Sequence, residues 1–437
     1  MPRTDLRTLA HTLIGTERDH APLLDLIGDA QFVLLGEASH GTHDFYHERA
    51  EITKRLIIEK GFNAVAVEAD WPDAFRVNRY VQGKSDDQNA DSALSGFERF
   101  PTWMWRNTVV LEFVEWLRNA NSSRNEARKT GFYGLDLYSL FTSMEVVVKY
   151  LDQVDPEAAQ RARYRYSCFE HFGEDSQAYG YAASFNLSQS CEAEAVKQLA
   201  DMQRRAMEYA AGAASDNLFD AAQNARLVRN AEEYYRSMFR GRQSSWNLRD
   251  THMVETVDSI VDYLQSRGRE PKIVVWAHNS HLGDARATEM GARGELNVGQ
   301  LIRQKYGASA VLVGFTTYTG SVTAATDWDD PGEVKTVRPA LSDSYELGFH
   351  ELGIPRFFLD LTDNVPDVAL LARPHLERAI GVIYRPETER LSHYFHADLR
   401  RQFNAVYHFD ETRALEPLEK PEAWAHTEVP ETFPSGI

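Results

Sequence analysis

The sequence predicts an α/β protein: a mostly parallel sheet flanked by helices, with an inserted helical subdomain. Short runs rich in Val, Ile, Leu and Phe recur along the chain, as is typical of strands buried on both faces of a parallel sheet. Amphipathic helix patterns separate the early runs, so strands and helices alternate as in βαβ units. From about residue 152 to residue 239, long stretches rich in Ala, Arg and Glu replace the strand signals, which indicates a helical insertion.

The predicted strands are, in chain order, Phe32–Gly36, Ala64–Glu68, Gly131–Asp136, Ile273–His278, Ala310–Phe315, Phe357–Asp360, Ile380–Tyr384 and Ala405–Phe409. Helices are predicted at Asp44–Lys60 and Thr108–Ala120. Within the insertion, Asp155-Pro156-Glu157 predicts a helix start, because Asp caps a helix well and Pro suits its first turn. We therefore assign residues 1–150 and 245–437 to an α/β catalytic core and residues 151–244 to the insertion, which could act as a lid or as a structural buttress.

The composition excludes several classes of protein. The chain has 437 residues, 43% hydrophobic, and its 47 basic and 65 acidic side chains give a net charge of −18. Such a surface repels phosphate backbones and anionic lipids, so neither nucleic acid nor a membrane is expected as a partner. No apolar run approaches the roughly 18 residues of a membrane span, and the N-terminus has no signal-peptide pattern. We expect a cytoplasmic protein; the sequence gives no indication of its oligomeric state.

The two cysteines, Cys168 and Cys191, match no metal-binding or redox spacing. They are expected to be buried free thiols in a reducing compartment.

Several predicted strands end in an ionisable residue. Glu37, Glu68, Asp136 and His278 each stand at the end of such a run. Ligands of open α/β sheets bind at the carboxyl ends of the strands, so these side chains are expected to converge there. The alternative is that polar residues simply resume where a strand leaves the core.

The first strand leads into Gly36-Glu37-Ala38-Ser39-His40-Gly41, whose glycines allow a sharp turn that puts Glu37 and His40 at one edge. The segment is neither a phosphate-binding loop nor a G-x-S-x-G nucleophile turn. Arg49 follows on the apolar stripe of the next helix. Burying a guanidinium requires a carboxylate or a ligand, so we expect Arg49 to reach the strand-end acids, for catalysis or as a structural ion pair.

A pair of histidines follows the fourth predicted strand, in Ala277-His278-Asn279-Ser280-His281. If the strand ends at His278 and turns, both imidazoles lie beside His40. Histidines near carboxylates suit general acid–base catalysis. The same residue types also bind zinc or manganese, which leaves a metal-dependent hydrolase as an alternative.

Taken together, Leu35-Gly36-Glu37-x-Ser39-His40, Arg49, Val67-Glu68 and Ala277-His278-Asn279-x-His281 resemble the motifs of the erythromycin esterase family, in the same order along nearly the whole chain. The resemblance implies an α/β fold with a helical insertion and hydrolysis of an ester by a histidine-activated water, without a catalytic metal or other cofactor. In the best-known members the ester is a macrolide lactone, and its hydrolysis confers antibiotic resistance. The family's active-site positions fall on Glu37, His40, Arg49, Glu68, His278 and His281.

Residues 96–107 and 392–395 resemble a broader branch of the family, some of whose members are labelled succinoglycan biosynthesis proteins. This leaves the natural ester open. A protein that binds an acylated carbohydrate without catalysis is a further alternative.

Candidates for binding the substrate come from the aromatic segment of residues 96–107 and from the end of the third predicted strand. Aromatic faces stack on apolar rings and sugars, although core packing is the commoner role for such residues. Arginines here could meet a ligand carboxylate or pair with Asp136. The candidates are Arg99, Trp103, Trp105, Arg106, Asp136 and Tyr138. Arg249-Asp250-x-His252 is interpreted as an ion-pair motif that opens the helix after the insertion.

In the leading hypothesis, His40 takes a proton from a water that attacks the ester carbonyl, and Glu37 or Glu68 orients this histidine. Arg49, His278 and His281 position the water and stabilise the oxyanion. The expected partner is a small-molecule ester.

Overall fold

A computed structural model of the chain describes residues 6–172, 175–185, 187–206, 208–209, 215–239, 241–362 and 369–419. Its strands are β1 His11–Thr12, β2 Phe32–Leu35, β3 Ala64–Asp70, β4 Gly131–Asp136, β5 Ile273–Trp276, β6 Ala310–Ala324, β7 Glu333–Val337, β8 Arg356–Asp360, β9 His375–Arg378, β10 Tyr394–Ala397 and β11 Ala405–Thr412.

The α-helices of the described residues are α1 Ala21–Ile27, α2 His43–Glu59, α3 Trp71–Gln82, α4 Ala90–Leu94, α5 Thr108–Ser122, α6 Leu140–Val154, α7 Pro156–Tyr166, α8 Ser176–Ser184, α9 Glu192–Arg204, α10 Ser215–Met238, α11 Arg242–Ser266, α12 Asn279–Leu282, α13 Glu289–Ala292, α14 Val298–Tyr306, α15 Tyr345–His350, α16 Glu389–Ser392 and α17 Leu399–Gln402. No helix in these residues is long and apolar enough to cross a membrane.

The main sheet has the strand order β1-β8-β11-β6-β2-β5-β3-β4, and β7 pairs with the far end of β6. The six strands from β11 to β4 are parallel. Antiparallel strands occur only towards the β1 edge and at β7 in this sheet of the described residues. A mostly parallel sheet flanked by helices, as predicted, is therefore confirmed. It places the carboxyl ends of β2, β5, β3 and β4 side by side at one edge.

The predicted strand at Ile380–Tyr384 is wrong. This segment forms only two isolated bridges, from Ile380 to Ser39 and from Ile383 to Ala325. Its two ends meet different parts of the chain, so no continuous ladder can form. The predicted strand at Ala310–Phe315 also differs, because β6 continues to Ala324 beyond the sheet and there pairs with β7.

Helices α6 to α11 pack on one face of the sheet. One continuous core runs from sheet residues such as Leu34 and Val275 to helix residues such as Ala159 and Tyr234. Asp155 caps α7 as expected, since its side chain accepts a hydrogen bond from the amide of Ala158 at 3.0 Å. The helices of the insertion thus share their apolar core with the sheet.

The expectation of free thiols is wrong. Cys168 and Cys191 form a disulfide, with Cα atoms 6.0 Å apart. Cys191 lies immediately before α9, while Cys168 lies in the short 3-10 helix after α7. Spacing alone did not indicate the pair because 23 residues separate its members.

Candidate active site

The strand-end residues surround a cavity of about 170 Å³. His40 and His278 follow β2 and β5, while Glu68 lies within β3 and Asp136 ends β4. These four strands are neighbours in the order β2-β5-β3-β4, so side chains distant in sequence meet at one edge. Glu68 was expected to end its strand, but β3 continues to Asp70 with a register shift between Val67 and Asp70.

Hydrogen bonds between the side chain of Asn279 and the backbone of Phe315 fix the turn after β5. Asn279 bonds both backbone groups of Phe315, donating to its carbonyl at 2.8 Å and accepting from its amide at 3.3 Å. This amide side chain passes so close to Gly36 that a Cβ there would lie 2.1 Å from Asn279 Oδ1. Gly36 is therefore required where β2 turns towards Glu37.

His40, Glu37 and Arg49 form a buried chain of hydrogen bonds. The Nδ1 of His40 lies 2.9 Å from Glu37 Oε1, and the Nη2 of Arg49 donates to Glu37 Oε2 at 2.9 Å. A carboxylate only accepts hydrogen bonds, so Nδ1 carries the proton and Nε2 carries the lone pair. His40 lines the cavity, whereas Glu37 and Arg49 are each 1% exposed and stand behind it.

Helix α2 supplies Arg49 from its apolar face, as predicted. Phe45, Ile52 and Leu56 of the same stripe are fully buried. The guanidinium carbon lies 4.3 Å from the ring centre of Tyr46 and 5.3 Å from that of Trp276. Aromatic faces favour a cation, so packing and the bond to Glu37 together compensate the buried charge.

His278 has the complementary tautomer. The amide of Ser280 donates to its Nδ1 at 3.2 Å, so a neutral ring carries its proton on Nε2. Burial, together with the neighbouring His40, lowers the pKa of His278 well below its ordinary value. Among the described residues Nε2 is buried with no hydrogen-bond partner, and the rings of His40 and His278 are 4.9 Å apart. The cavity wall thus places an imidazole with its lone pair on Nε2 beside one that carries its proton on a buried Nε2.

Arg249 of α11 joins two strand-end acids. Its Nη2 donates to Glu68 Oε1 at 2.8 Å and to Asp136 Oδ2 at 2.6 Å, and its Nε donates to Asp136 Oδ1 at 3.0 Å. Burial alone raises the pKa of Glu68, but the positive charges of His281 and Arg249 hold that pKa well below its usual value. Glu68 also accepts the amide of His278 at 2.8 Å.

His281 is held by the same helix. Its Nδ1 lies 3.0 and 2.9 Å from the two carboxylate oxygens of Asp250. Trp246 stacks on its ring with centres 4.4 Å apart. Burial lowers the pKa of His281, but Asp250 and Glu68 outweigh this and raise the pKa to about 9. The raised pKa favours the protonated ring, whose Nε2 lies 3.3 Å from Glu68 Oε1 and 3.2 Å from Arg249 Nη1.

Aromatic and apolar side chains form much of the rest of the cavity wall. Trp105 and Tyr138 line it as expected, and Arg99 lines it while paired with Asp70. Burial raises the pKa of Asp70 despite this arginine. The other wall residues include Phe97, Phe100, Pro101, Met104, Trp246, Trp328 and Val382.

Two predicted substrate contacts lie away from the cavity. Trp103 is fully buried in the core on the other face of the sheet. Arg106 pairs with Asp91 and Glu419, and neither residue is among those lining the cavity. The expected pairing of an arginine with Asp136 is made by Arg249 instead. Trp103 lies within the 3-10 turn Thr102–Met104, whereas Trp105 is the residue that ends it.

No group of three or more His, Cys, Asp or Glu side chains in the described residues is arranged to hold a metal ion. His43 and His47, four residues apart on α2, stack with their ring centres 5.9 Å apart, and His43 contacts Arg413. The strand-end carboxylates bond instead to Arg49 and Arg249.

The sequence analysis missed Trp246 and assigned Arg249 and Asp250 only to an ion-pair motif. The motif at Arg249 was expected to open a helix, but α11 begins at Arg242. The available signal was the spacing of three and four residues, which places all three side chains on one helix face. Their partners could not be identified from sequence, since Asp136 lies 113 residues and Glu68 lies 181 residues from Arg249.

Comparisons with known proteins identify the family. A sequence profile described as erythromycin esterase matches residues 57–412. Erythromycin esterase type II from Escherichia coli is 24% identical over 319 residues, covering 70% of this chain and 73% of that protein. The protein named "Putative hydrolase YbfO" from Bacillus subtilis (strain 168) is 22% identical over 368 residues, covering 79% and 77% respectively.

Solved structures show the same fold. A protein from Bacillus cereus has a TM-score of 0.78 at 19% identity, covering 95% of this chain and 98% of that one. A succinoglycan biosynthesis protein has a TM-score of 0.76 at 19% identity, covering 94% and 96%. A mutant of the erythromycin esterase EreC in its open conformation has a TM-score of 0.65 at 17% identity, covering 92% and 98%. Since the profile matches most of the chain, the protein belongs to the erythromycin esterase family.

Proposed function

We propose that this protein is a hydrolase that cleaves a carboxylic ester with a water molecule activated by His40. Family membership and the hydrolase names of its relatives support the hydrolase class. The observation that carries the ester mechanism is the hydrogen-bond chain from Arg49 through Glu37 to His40, which leaves the lone pair of His40 available at the cavity.

In the proposed first step, His40 Nε2 takes a proton from water while the water oxygen bonds to the ester carbonyl carbon. The resulting imidazolium donates a hydrogen bond from Nδ1 to Glu37, which stabilises the charge. Arg49 keeps Glu37 oriented. His40 then returns the proton to the leaving alkoxide as the carbon–oxygen bond breaks, giving an acid and an alcohol.

The oxyanion of the tetrahedral intermediate needs donors that are already oriented. His278 supports this role, because its Nε2–H lacks a partner among the described residues and its ring lies 4.9 Å from that of His40. Arg249 and His281 add positive charge to the cavity wall. Glu68 accepts the amide of His278 and bonds to Arg249, so it orients both groups.

The aromatic wall favours an ester attached to an apolar ring or a sugar, since both stack on Trp and Tyr faces. A macrolide lactone is one candidate, supported by the name of the Escherichia coli relative. An acylated carbohydrate is the other, supported by the name of the succinoglycan biosynthesis protein.

We also propose that the reaction uses no metal ion or other cofactor. The acids that would ligate a dication are already bonded to guanidinium groups, Glu37 to Arg49 and Glu68 and Asp136 to Arg249. A dication beside these arginines would meet uncompensated positive charge. Hydrolysis that depends on zinc or manganese is the competing mechanism.

The substitution His40→Ala tests the proposed base. With p-nitrophenyl esters, a macrolide lactone and an O-acetylated oligosaccharide as substrates, kcat/KM is expected to fall at least 100-fold on whichever ester is cleaved, because a positioned base contributes about 10²- to 10⁴-fold. Melting temperature is expected to stay nearly constant. The exposed His47 of the same helix provides a matched control, since His47→Ala should keep full activity.

Full activity of the His40→Ala protein would disprove the assignment of the base. If the wild-type protein cleaves none of the esters but is stabilised by the oligosaccharide, then the protein is a carbohydrate-binding protein without catalytic activity.

A further inference from the structure

One helix holds the imidazole of His281 from two directions. Trp246 and Asp250 are four residues apart on α11, so they project from consecutive turns on the same side. Trp246 covers the face of the His281 ring, while Asp250 bonds to its Nδ1. The Nε2 edge faces Glu68 Oε1 at 3.3 Å and Arg249 Nη1 at 3.2 Å.

Trp246 is itself fixed in place. Its Nε1 donates to the carbonyl of Leu296 at 2.8 Å, and the residue is 9% exposed. The indole and imidazole planes differ by only 9°. Because Trp246 also lines the cavity, its ring separates part of the His281 face from the space that a substrate would occupy.

Asp250 is fully buried, and its Oδ1 also accepts the amide of Val298 at 3.0 Å. A buried carboxylate is costly unless a cation or several donors compensate it. Its bidentate contact with His281 therefore keeps a proton on Nδ1 and fixes the ring orientation.

We propose that Trp246 and Asp250 are positioning residues that hold His281 with its Nε2 edge directed at Glu68 and the cavity. This role rests on the proposed function, in which His281 contributes to oxyanion stabilisation. Neither residue needs to touch the substrate's reacting atoms to act in this way. Helix α11, the first helix after the insertion, thereby takes a direct part in forming the site.

The first test is Asp250→Asn, which preserves side-chain shape but replaces one acceptor by a donor facing His281. We expect kcat to fall on the order of 10- to 100-fold, as is usual when a supporting partner is lost, with KM changed by less than about threefold. The matched control is Asp258→Asn, two turns further along α11, where the carboxylate accepts from Tyr306 and pairs with Lys305. That variant should keep the wild-type kcat.

The second test needs no substrate. In protein labelled with ¹⁵N-histidine, long-range ¹H–¹⁵N spectra report which ring nitrogens carry protons, and His281→Gln identifies the His281 signals. We expect the Nδ1 and Nε2 shifts of His281 to change in Asp250→Asn and to stay unchanged in Asp258→Asn. Unchanged His281 shifts in a folded Asp250→Asn protein would overturn the proposal.

Trp246→Leu covers the case in which Asp250→Asn does not fold. Removing the stacked ring is expected to lower kcat and to broaden or shift the His281 signals. The proposal fails if both stay at wild-type values.

The two proposals can fail separately. If the wild-type protein hydrolyses no ester while the His281 signals respond as expected, then the proposed function fails and the positioning role stands. If the wild-type protein hydrolyses an ester and its Asp250→Asn variant keeps kcat, then the proposed function stands and the positioning role fails.

Discussion

Glu37 and Glu68 are both buried carboxylates at the edge of the sheet, yet their surroundings give them different roles. Glu37 bonds to one guanidinium and one imidazole, which suits a residue that stabilises a histidine charge. Glu68 bonds to Arg249, lies near His281 and accepts a backbone amide. With its pKa held low by His281 and Arg249 against the effect of burial, Glu68 stays ionised and serves as a fixed anion rather than a proton donor.

Glu377, by contrast, is a buried acid whose hydrogen bonds come from the neutral side chains of Asn279 and Gln402. Burial, reinforced by the neighbouring Glu346, raises the pKa of Glu377 to about 8. Its Oε1 accepts a hydrogen bond from Asn279 at 3.4 Å, and the Gln402 side chain also hydrogen-bonds to this carboxyl group. Glu377 therefore lies directly behind the turn that carries His278 and His281.

The substitution Glu377→Gln tests this acid through the pH dependence of stability. A folded-state pKa above the unfolded value means that the native state binds the proton more tightly, so the contribution of Glu377 to the free energy of unfolding should decrease as pH rises from about 4.5 to about 8. Glutamine cannot ionise, so this contribution disappears. In urea unfolding, the free energy of unfolding of the variant relative to wild type should therefore increase by about 2–5 kcal/mol as pH rises from about 5 to about 9.

The exposed Glu387 offers a control, since Glu387→Gln should follow the wild-type curve at every pH. Parallel stability curves for the Glu377→Gln and wild-type proteins would show that Glu377 is ionised throughout this range.

At the scale of elements, the end of β3 depends on a glycine in β4. A Cβ added to Gly134 would lie 2.5 Å from the carbonyl oxygens of both Ala69 and Asp70, where β3 changes register. Backbone atoms cannot move aside as a side-chain tip can. The close approach of β3 and β4 sets the separation of Glu68 and Asp136, which Arg249 bridges.

Gly134→Ala is therefore expected to destabilise the protein by about 1–3 kcal/mol, the usual cost of overpacking, and to lower kcat/KM by displacing Glu68. Thermal unfolding and ester turnover measure the two effects. Gly381→Ala is the stability control, because a Cβ there meets no atom within 4 Å. An unchanged melting temperature of the Gly134→Ala protein would contradict the proposed packing constraint.

The elements also show what a sequence can and cannot predict. The apolar stripe containing Arg49 and the strands that end near Glu37, Asp136 and His278 depend on local periodicity, so they could be located from the sequence. The segment Ile380–Tyr384 has an equally apolar pattern but bridges two separate parts of the chain. The cluster at Arg249 depends on contacts between distant residues, which no local pattern records.

At the scale of the whole molecule, the net charge of −18 does not describe the cavity. The strand-end acids there are bonded to Arg49 and Arg249, and His281 adds a further charge below its pKa of about 9. The acidic surplus therefore cannot be taken as evidence for a cationic substrate, and among the described residues the cavity offers no unpaired set of carboxylates for a dication.

The metal-free proposal leads to a prediction for the intact protein. Protein purified without added metal should contain less than about 0.1 equivalent of zinc or manganese, and dialysis against EDTA should leave ester turnover within about twofold, since the proposed base and oxyanion donors are protein side chains. Elemental analysis and activity before and after chelation provide the measurement. Loss of turnover on chelation, restored by zinc or manganese, would establish the metal-dependent mechanism instead.

The shared core of the sheet and helices α6 to α11 has a consequence for the origin of new specificities. Helix α10 passes almost directly into α11, which carries Trp246, Arg249 and Asp250, and the hydroxyl of Tyr235 in α10 donates to the carbonyl of Tyr138 in the cavity wall at 3.0 Å. An exchange of the inserted segment between paralogues, by natural recombination or by grafting, would thus also shift the helix that holds His281. Insertion and active site are expected to be inherited as one unit and to diverge together.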